Sequence, residues 1–333
     1  MIVWGGQSSK PDYLVQATGG VLDLGRGEWR TSLRNPGVSA RMDHIAFWIA
    51  SRMWIWGGVT DEGDTDVGEQ VAWYSPDADA WSVPPATSTQ PQGRSSPVAV
   101  WTGRRLIVWG GGTQVVPGYL ADGASYDPAS DNWTPMSSAG APSARYAAAA
   151  AWTGTRLVVW GGSGDPDAAL TGGSYDPEAD RWDPVSSSPP APEVSFPVAA
   201  YTGRELIVWG QSPLRGARTS GQVVVAGAYD PERDSWRPIA TEGGPTTRAF
   251  ASAVWTGRWM IVWGGRSPEG QNLGDGARYD PEQDRWVALP TAGAPDGRIR
   301  HTAVWTGDAM LVWGGMATDV TTRGDGAAYF PPQ

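Results

Sequence analysis

Residues 248–265 read RAFASAVWTGRWMIVWGG, and residues 279–286 read YDPEQDRW. Arg248 stands seven residues before Trp255, a Thr-Gly pair follows, and Trp263 closes an aliphatic run eight residues further on. Short apolar runs broken by Thr-Gly or Asp-Pro are strand-turn-strand signals, because these pairs suit tight hairpin turns. The stretch therefore holds four strands: a ending at Trp255, b at Trp263, c at Tyr279, and d opening at Trp286. Two hairpins, a–b and c–d, join them.

The phrase recurs along the whole chain. The strand-b Trp stands at Trp4, Trp56, Trp109, Trp160, Trp209, Trp263 and Trp313, at intervals of 52, 53, 51, 49, 54 and 50 residues. A period near fifty built from short strands is the signature of a propeller blade. Strand a ends in Trp48, Trp101, Trp152, Tyr201, Trp255 and Trp305, and strand c carries Tyr-Asp-Pro at Tyr126, Tyr175, Tyr229 and Tyr279. Both hairpin turns are constant in length, whereas the b-to-c loop varies from 13 residues in the fourth unit to 18 in the fifth. Antiparallel strands place the b-to-c loops and d-to-a links on one face. Binding residues concentrate on variable loops carried by a rigid frame, so that face is the candidate for function.

The order Arg, strand, aliphatic-Trp-Gly-Gly, Tyr-Asp-Pro, Trp resembles the kelch repeat over essentially the whole chain. The resemblance implies an all-β, seven-bladed β-propeller with strand a lining the channel and strand d outermost. The expected blades in this single domain of residues 1–333 cover about 1–34 (partial), 41–86, 94–138, 145–187, 193–240, 248–290 and 298–333 (partial). The first copy has Leu22 for Tyr, and the fifth reads as Gln211 replacing the second Gly. Strands of types b and c number seven, those of types a and d six, giving 26 where seven closed blades need 28. The expectation is that one d-to-a segment precedes Met1 in the native gene; otherwise, unpaired edges invite self-association.

Composition narrows the function. With 45 Gly, 28 Pro, 21 Trp and no Cys, the 333-residue chain is turn-rich and offers no thiol chemistry. A net charge of −10 disfavours nucleic acid as a partner, and no apolar run is long enough to span a membrane. The acidic, Trp-rich character suits an exported protein.

Five arginines, Arg41, Arg94, Arg145, Arg248 and Arg298, hold equivalent places before strand a, with Val194 the exception. They read either as a ring of anion-binding forks or as partners for Asp122, Asp275 and Asp325 on the same face. His44 and His301 share one repeat position and are weak candidates for acid–base or metal chemistry, as is Glu193 for catalysis. No motif calls for a cofactor; calcium is the one metal that the Asp61, Asp64 and Asp66 loop suits. Of the 21 Trp, 18 fall at repeat positions and are expected to pack between blades, leaving Trp54, Trp73 and Trp259.

Two functions compete. One is a non-catalytic scaffold binding a protein or acidic glycan on the variable face. The other, implied by the resemblance, is an enzyme: kelch-like propellers include copper radical oxidases, sialic acid mutarotases and iron-dependent specifier proteins. The oxidase needs a Tyr-Cys crosslink and is excluded by the missing Cys. A mutarotase-like site would draw on Arg145 or Arg248 with Glu193.

Overall fold

Each repeat folds as an antiparallel meander, and blade 6 shows why. Strand a (Ser252–Trp255) pairs with strand b (Met260–Trp263), b with c (Gly276–Asp280), and c with d (Arg285–Ala288). In the a–b turn the Thr256 hydroxyl accepts the Trp259 N–H at 2.8 Å. In the c–d turn Asp280 Oδ1 accepts the N–H groups of Glu282 and Gln283, and the Tyr279 hydroxyl donates to Asp284 at 2.6 Å. Asp284 sits at φ 45°, a left-handed conformation that Asp tolerates better than most residues. These bonds bring Trp286 directly opposite Tyr279, and they account for the spacing of Tyr-Asp-Pro from the following Trp.

The computed structural model describes residues 1–8, 14–30, 37–60, 70–113, 118–213 and 222–332. It is an all-β, seven-bladed β-propeller, with one short 3-10 turn at Ala168–Leu170 among the described residues. Blades 2 to 6 have four main strands in the order a-b-c-d; blade 1 shows b, c and d, and blade 7 shows a, b and c. The chain divides into two compact units, Met1–Ser138 with blades 1 to 3 and Ala139–Gln333 with blades 4 to 7. Among the described residues, no helix is long and apolar enough to cross a membrane.

Each unit has its own core, built where neighbouring blades face one another. In the first, Trp54, Trp56, Trp73, Tyr126 and Trp133 cluster with Leu106 and Val108. In the second, Trp209, Met260, Val262, Tyr279 and Trp286 form one cluster, and Trp160, Val208, Tyr229 and Trp236 another. Burying one such aromatic contributes about 1.5–3 kcal/mol, which makes these rings the main cohesive element between blades. Packing divides the repeat tryptophans. Those of strand b are buried except the half-buried Trp313, whereas of the strand-a aromatics Trp101, Tyr201, Trp255 and Trp305 lie half-buried against the cores and Trp48 is 58% exposed. Trp54 and Trp73, outside the repeat pattern, are core residues, whereas Trp259 is flanked by the guanidinia of Arg258 and Arg278.

Candidate functional site

The variable face is organised around the five arginines. Arg41, Arg94, Arg145, Arg248 and Arg298 are all fully buried. In blade 6 the Arg248 Nε–H donates to the Thr246 carbonyl at 2.8 Å, and Nη1 donates to the carbonyls of Gly264 and Asp275, each at 3.1 Å. Asp275 adds its carboxylate at 2.9 Å. Arg94 and Arg298 use Asp122 and Asp325 in the same way. Arg145 reaches Gly161, Ala168 and Thr171 carbonyls together with the Ser143 and Thr171 hydroxyls. Burial pulls the pKa of Arg41 and of Arg145 down to about 10, so both stay charged at neutral pH.

Of the two roles open to these arginines, the geometry is that of the internal one. Each guanidinium ties the entry of strand a to the end of strand b and the start of strand c in its own blade. Such charge-assisted bonds to carbonyls replace the water that a buried cation would lose. The same saturation bears on the mutarotase-like arrangement: Arg145 and Arg248 present no free face to a substrate carboxylate, and Glu193 is half-buried beside Val194.

Both histidines are packing residues. His301 lies edge-on to Trp263, ring centroids 5.0 Å apart, with Nε2 2.7 Å from the Ser252 hydroxyl. His44 takes the same pose against Trp4 at 5.4 Å. Burial, then the neighbouring Arg298 or Arg41, lowers each imidazole to a pKa of about 4, so both are neutral at pH 7. Among the described residues no group of three His, Asp or Glu side chains is placed to hold a metal. Asp61, Asp64 and Asp66 lie outside the described residues.

The residue two places after each arginine, or after Val194, has positive φ: Asp43, Ser96, Ala147, Phe196, Phe250 and Arg300, at 47° to 58°. This kink turns those side chains out at the head of strand a. In blades 5 and 6 it places Phe196 and Phe250, and with Tyr146, the neighbour of the blade-4 kink residue Ala147, they form an aromatic row that the repeat analysis did not single out. Tyr146 meets Phe196 edge to face at 5.9 Å, and Phe196 lies 4.8 Å from Phe250. Phe250 is 44% exposed. The signal lay in composition: the chain has four Phe, and two of them hold the same place in adjacent repeats.

Blade 5 also departs from its neighbours. Ser195 pairs with Gln211, as Ala249 pairs with Arg266 in blade 6. Gln211 is therefore the counterpart of Arg266, and the blade has lost one glycine rather than exchanged it; the register shifts by one between Ser195 and Val198 to absorb the loss.

A family model described as the KLHDC2/KLHL20/DRC7 Kelch-repeats domain matches residues 62–242, more than half of the chain. The chain belongs to the kelch-repeat family. No curated protein matches it. Kelch propellers commonly serve as protein-interaction scaffolds.

Proposed function

We propose that this kelch propeller is a non-catalytic scaffold that grips a protein partner on the variable face of blades 4 to 6, with Tyr146, Phe196 and Phe250 as the anchor. The observation that carries this reading is Phe250, a large apolar side chain held at φ 58° and left 44% exposed. A left-handed backbone costs a non-glycine residue about 1–2 kcal/mol. The other blades hold the same kink with Asp, Ser, Ala, Phe or Arg, so what sets Phe250 apart is the large apolar ring left in solvent there. Aromatic side chains at the centre of a contact carry a large share of binding energy. A protein is favoured over a glycan because the two Phe rings bring no polar group to meet sugar hydroxyls.

The test is quantitative affinity capture from the native lysate with the wild-type chain and with Phe250→Gly, a substitution that suits the local backbone. A set of proteins recovered by the wild type and lost by a variant of unchanged melting temperature supports the anchor. Equal recovery by both removes it.

A further inference from the structure

Trp259 stands outside the repeat pattern, and unlike Trp54 and Trp73 it is only half-buried. It ends the a–b turn of blade 6, at the opposite end of the strands from the aromatic row. In each such turn the Thr hydroxyl accepts the N–H of the residue three places on. That residue is Arg156 in blade 4 at 3.1 Å, Glu205 in blade 5 at 3.0 Å and Trp259 in blade 6 at 2.8 Å. The three therefore hold one structural place.

In blades 4 and 5 that place closes an ion pair within its own blade. Arg156 pairs with Asp183 at 2.7 Å and Asp176 at 3.1 Å, and Glu205 pairs with Arg237 at 2.7 Å. Asp183 and Arg237 stand on strand d, opposite Ser174 and Ala228 of strand c. In blade 6 the strand-d place is Val287, and the strand-c residue opposite it is Arg278. The cation has moved one strand inward, and the carboxylate has become an indole.

Two guanidinium groups now flank that indole, Arg258 at 4.6 Å and Arg278 at 5.3 Å from the ring centroid. Among the described residues Arg278 has no carboxylate partner. Its Nη1 donates to the Tyr329 hydroxyl at 2.8 Å, a neutral contact; Arg237 stands beside the Tyr279 hydroxyl one blade earlier but keeps Glu205 as well. Arg258 is 55% exposed and comes only within 3.9 Å of Asp280, whose other oxygen accepts the N–H groups of Glu282 and Gln283. Arg204 holds the place of Arg258 in the turn of blade 5, exposed and again without a carboxylate partner among the described residues. In a chain of net charge −10 these arginines make a local positive field on neighbouring turns.

A cation–π contact uses the charge of a guanidinium but none of its directed N–H···O bonds. The donors of Arg258 and Arg278 are thus held beside an aromatic face and remain available to an oxyanion. A ligand that satisfies both features needs a carboxylate fixed to a ring with an apolar face. A uronic-acid sugar has the two together: its C–H face stacks on an indole while its carboxylate meets a guanidinium fork alongside. An Asp or Glu side chain brings the charge but leaves the indole bare.

We infer that the a–b turns of blades 5 and 6 bind an acidic glycan built of uronic-acid sugars. Arg258 moves off the ring face, one sugar stacks on Trp259 with its carboxylate on Arg278 and Arg258, and Arg204 takes the charge of a neighbouring sugar. The site lies at the other end of the strands from Tyr146, Phe196 and Phe250, so it stands independently of the protein partner proposed there.

The experiment titrates the wild-type chain with a galacturonic acid trimer and, in parallel, a mannuronic acid trimer, read by calorimetry and tryptophan fluorescence. Saturable binding of at least one trimer is expected. Arg278→Gln is expected to weaken it by about tenfold or more, since it removes a charge-assisted fork. Trp259→Leu should weaken it as well; if that variant melts at a lower temperature, Arg258→Gln, at an exposed side chain, carries the comparison instead. A neutral galactose trimer is expected to bind at least about tenfold more weakly than its uronic-acid counterpart. Three results overturn the inference: no saturable binding of either acidic trimer, equal binding of the neutral trimer, or variants that bind as the wild type does. A glutamate oligomer that competes as well as the acidic trimer would also overturn it, by assigning the patch to an acidic protein segment.

Discussion

Blades 5 and 6 are neighbours in the same unit, and they treat the end of strand b in opposite ways. In blade 6, strand b stops at Trp263; Gly264 and Gly265, at φ 72° and 99°, turn the chain so that the Gly264 carbonyl faces Arg248. Blade 5 has Val194 in place of the arginine and one glycine fewer. There strand b runs on as Leu206–Gln211, with strand a extended to Ser195–Tyr201 and strand c to Val224–Asp230. The arginine and the glycine pair therefore work as one unit. The turn exists to aim a carbonyl at the guanidinium, and without either part the backbone continues its ladder.

The strongest way to break this comparison is to place the arginine without its turn. Val194 is fully buried, and its two γ-methyls lie 2.6–2.7 Å from where Cβ atoms on Gly161 and Gly210 would be. Val194→Arg is expected to cost about 4 kcal/mol or more by burying an unpaired cation. Adding a glycine after Gly210 in the same chain should recover part of that loss in urea denaturation. An insertion that recovers nothing would show that the two features are independent. The converse change, Arg248→Met, strands the carbonyls of Thr246, Gly264 and Asp275 and is expected to cost about 3 kcal/mol. Asp275 is half-exposed, so water takes over its carboxylate and adds little to the loss.

The seams around blade 6 differ next in their response to acid. Between blades 6 and 7 the buried His301 lies on Trp263; the same repeat position in blade 6 is Ala251, which does not titrate. His301 has a folded-state pKa of about 4, below the ordinary 6.5. A depressed histidine is neutral in both states above pH 6.5, so its contribution is complete there. As pH falls from 6.5 towards 4 the unfolded chain takes up the proton first, and stability declines, by at most about 3 kcal/mol. Stability measured across that window should flatten in His301→Gln relative to the wild type. An unchanged slope would mean that His301 is not the group responsible.

The repeat fixes the strand order, both hairpin turns and the seven-bladed fold, because Thr-Gly, Asp-Pro and Trp act locally through turn geometry and through core contacts that recur in each blade. The arginines were legible as a set, but not their role: a row of like charges in sequence carries no information on which carbonyls a later turn will aim at them. The loss of a glycine in blade 5 looked like a substitution, since only the pairing of Ser195 with Gln211 fixes the register. The aromatic row escaped for a similar reason. Its members come from three repeats, and the left-handed kink that places Phe196 and Phe250 has no sequence marker: Asp, Ser, Ala, Phe and Arg all adopt it.

The smallest expected effect is the one that bears most directly on function. Blade 6 holds Phe250 at φ 58°, where the equivalent residues of blades 3 and 4, Ser96 and Ala147, are small. Phe250→Gly removes a ring contact with Phe196 worth about 0.5–1.5 kcal/mol. It also relieves a left-handed strain of about 1–2 kcal/mol, while glycine's extra freedom in the unfolded chain costs about 0.4–1 kcal/mol. These terms nearly cancel, so the unfolding free energy should move by less than about 1 kcal/mol in either direction. A core ring replaced by glycine would instead cost several kcal/mol, as at Trp209 or Trp263, where the whole side chain is buried. A near-neutral Phe250→Gly identifies a side chain that the fold does not need, whereas a large loss would make the row a packing element and remove the reason for placing the partner there.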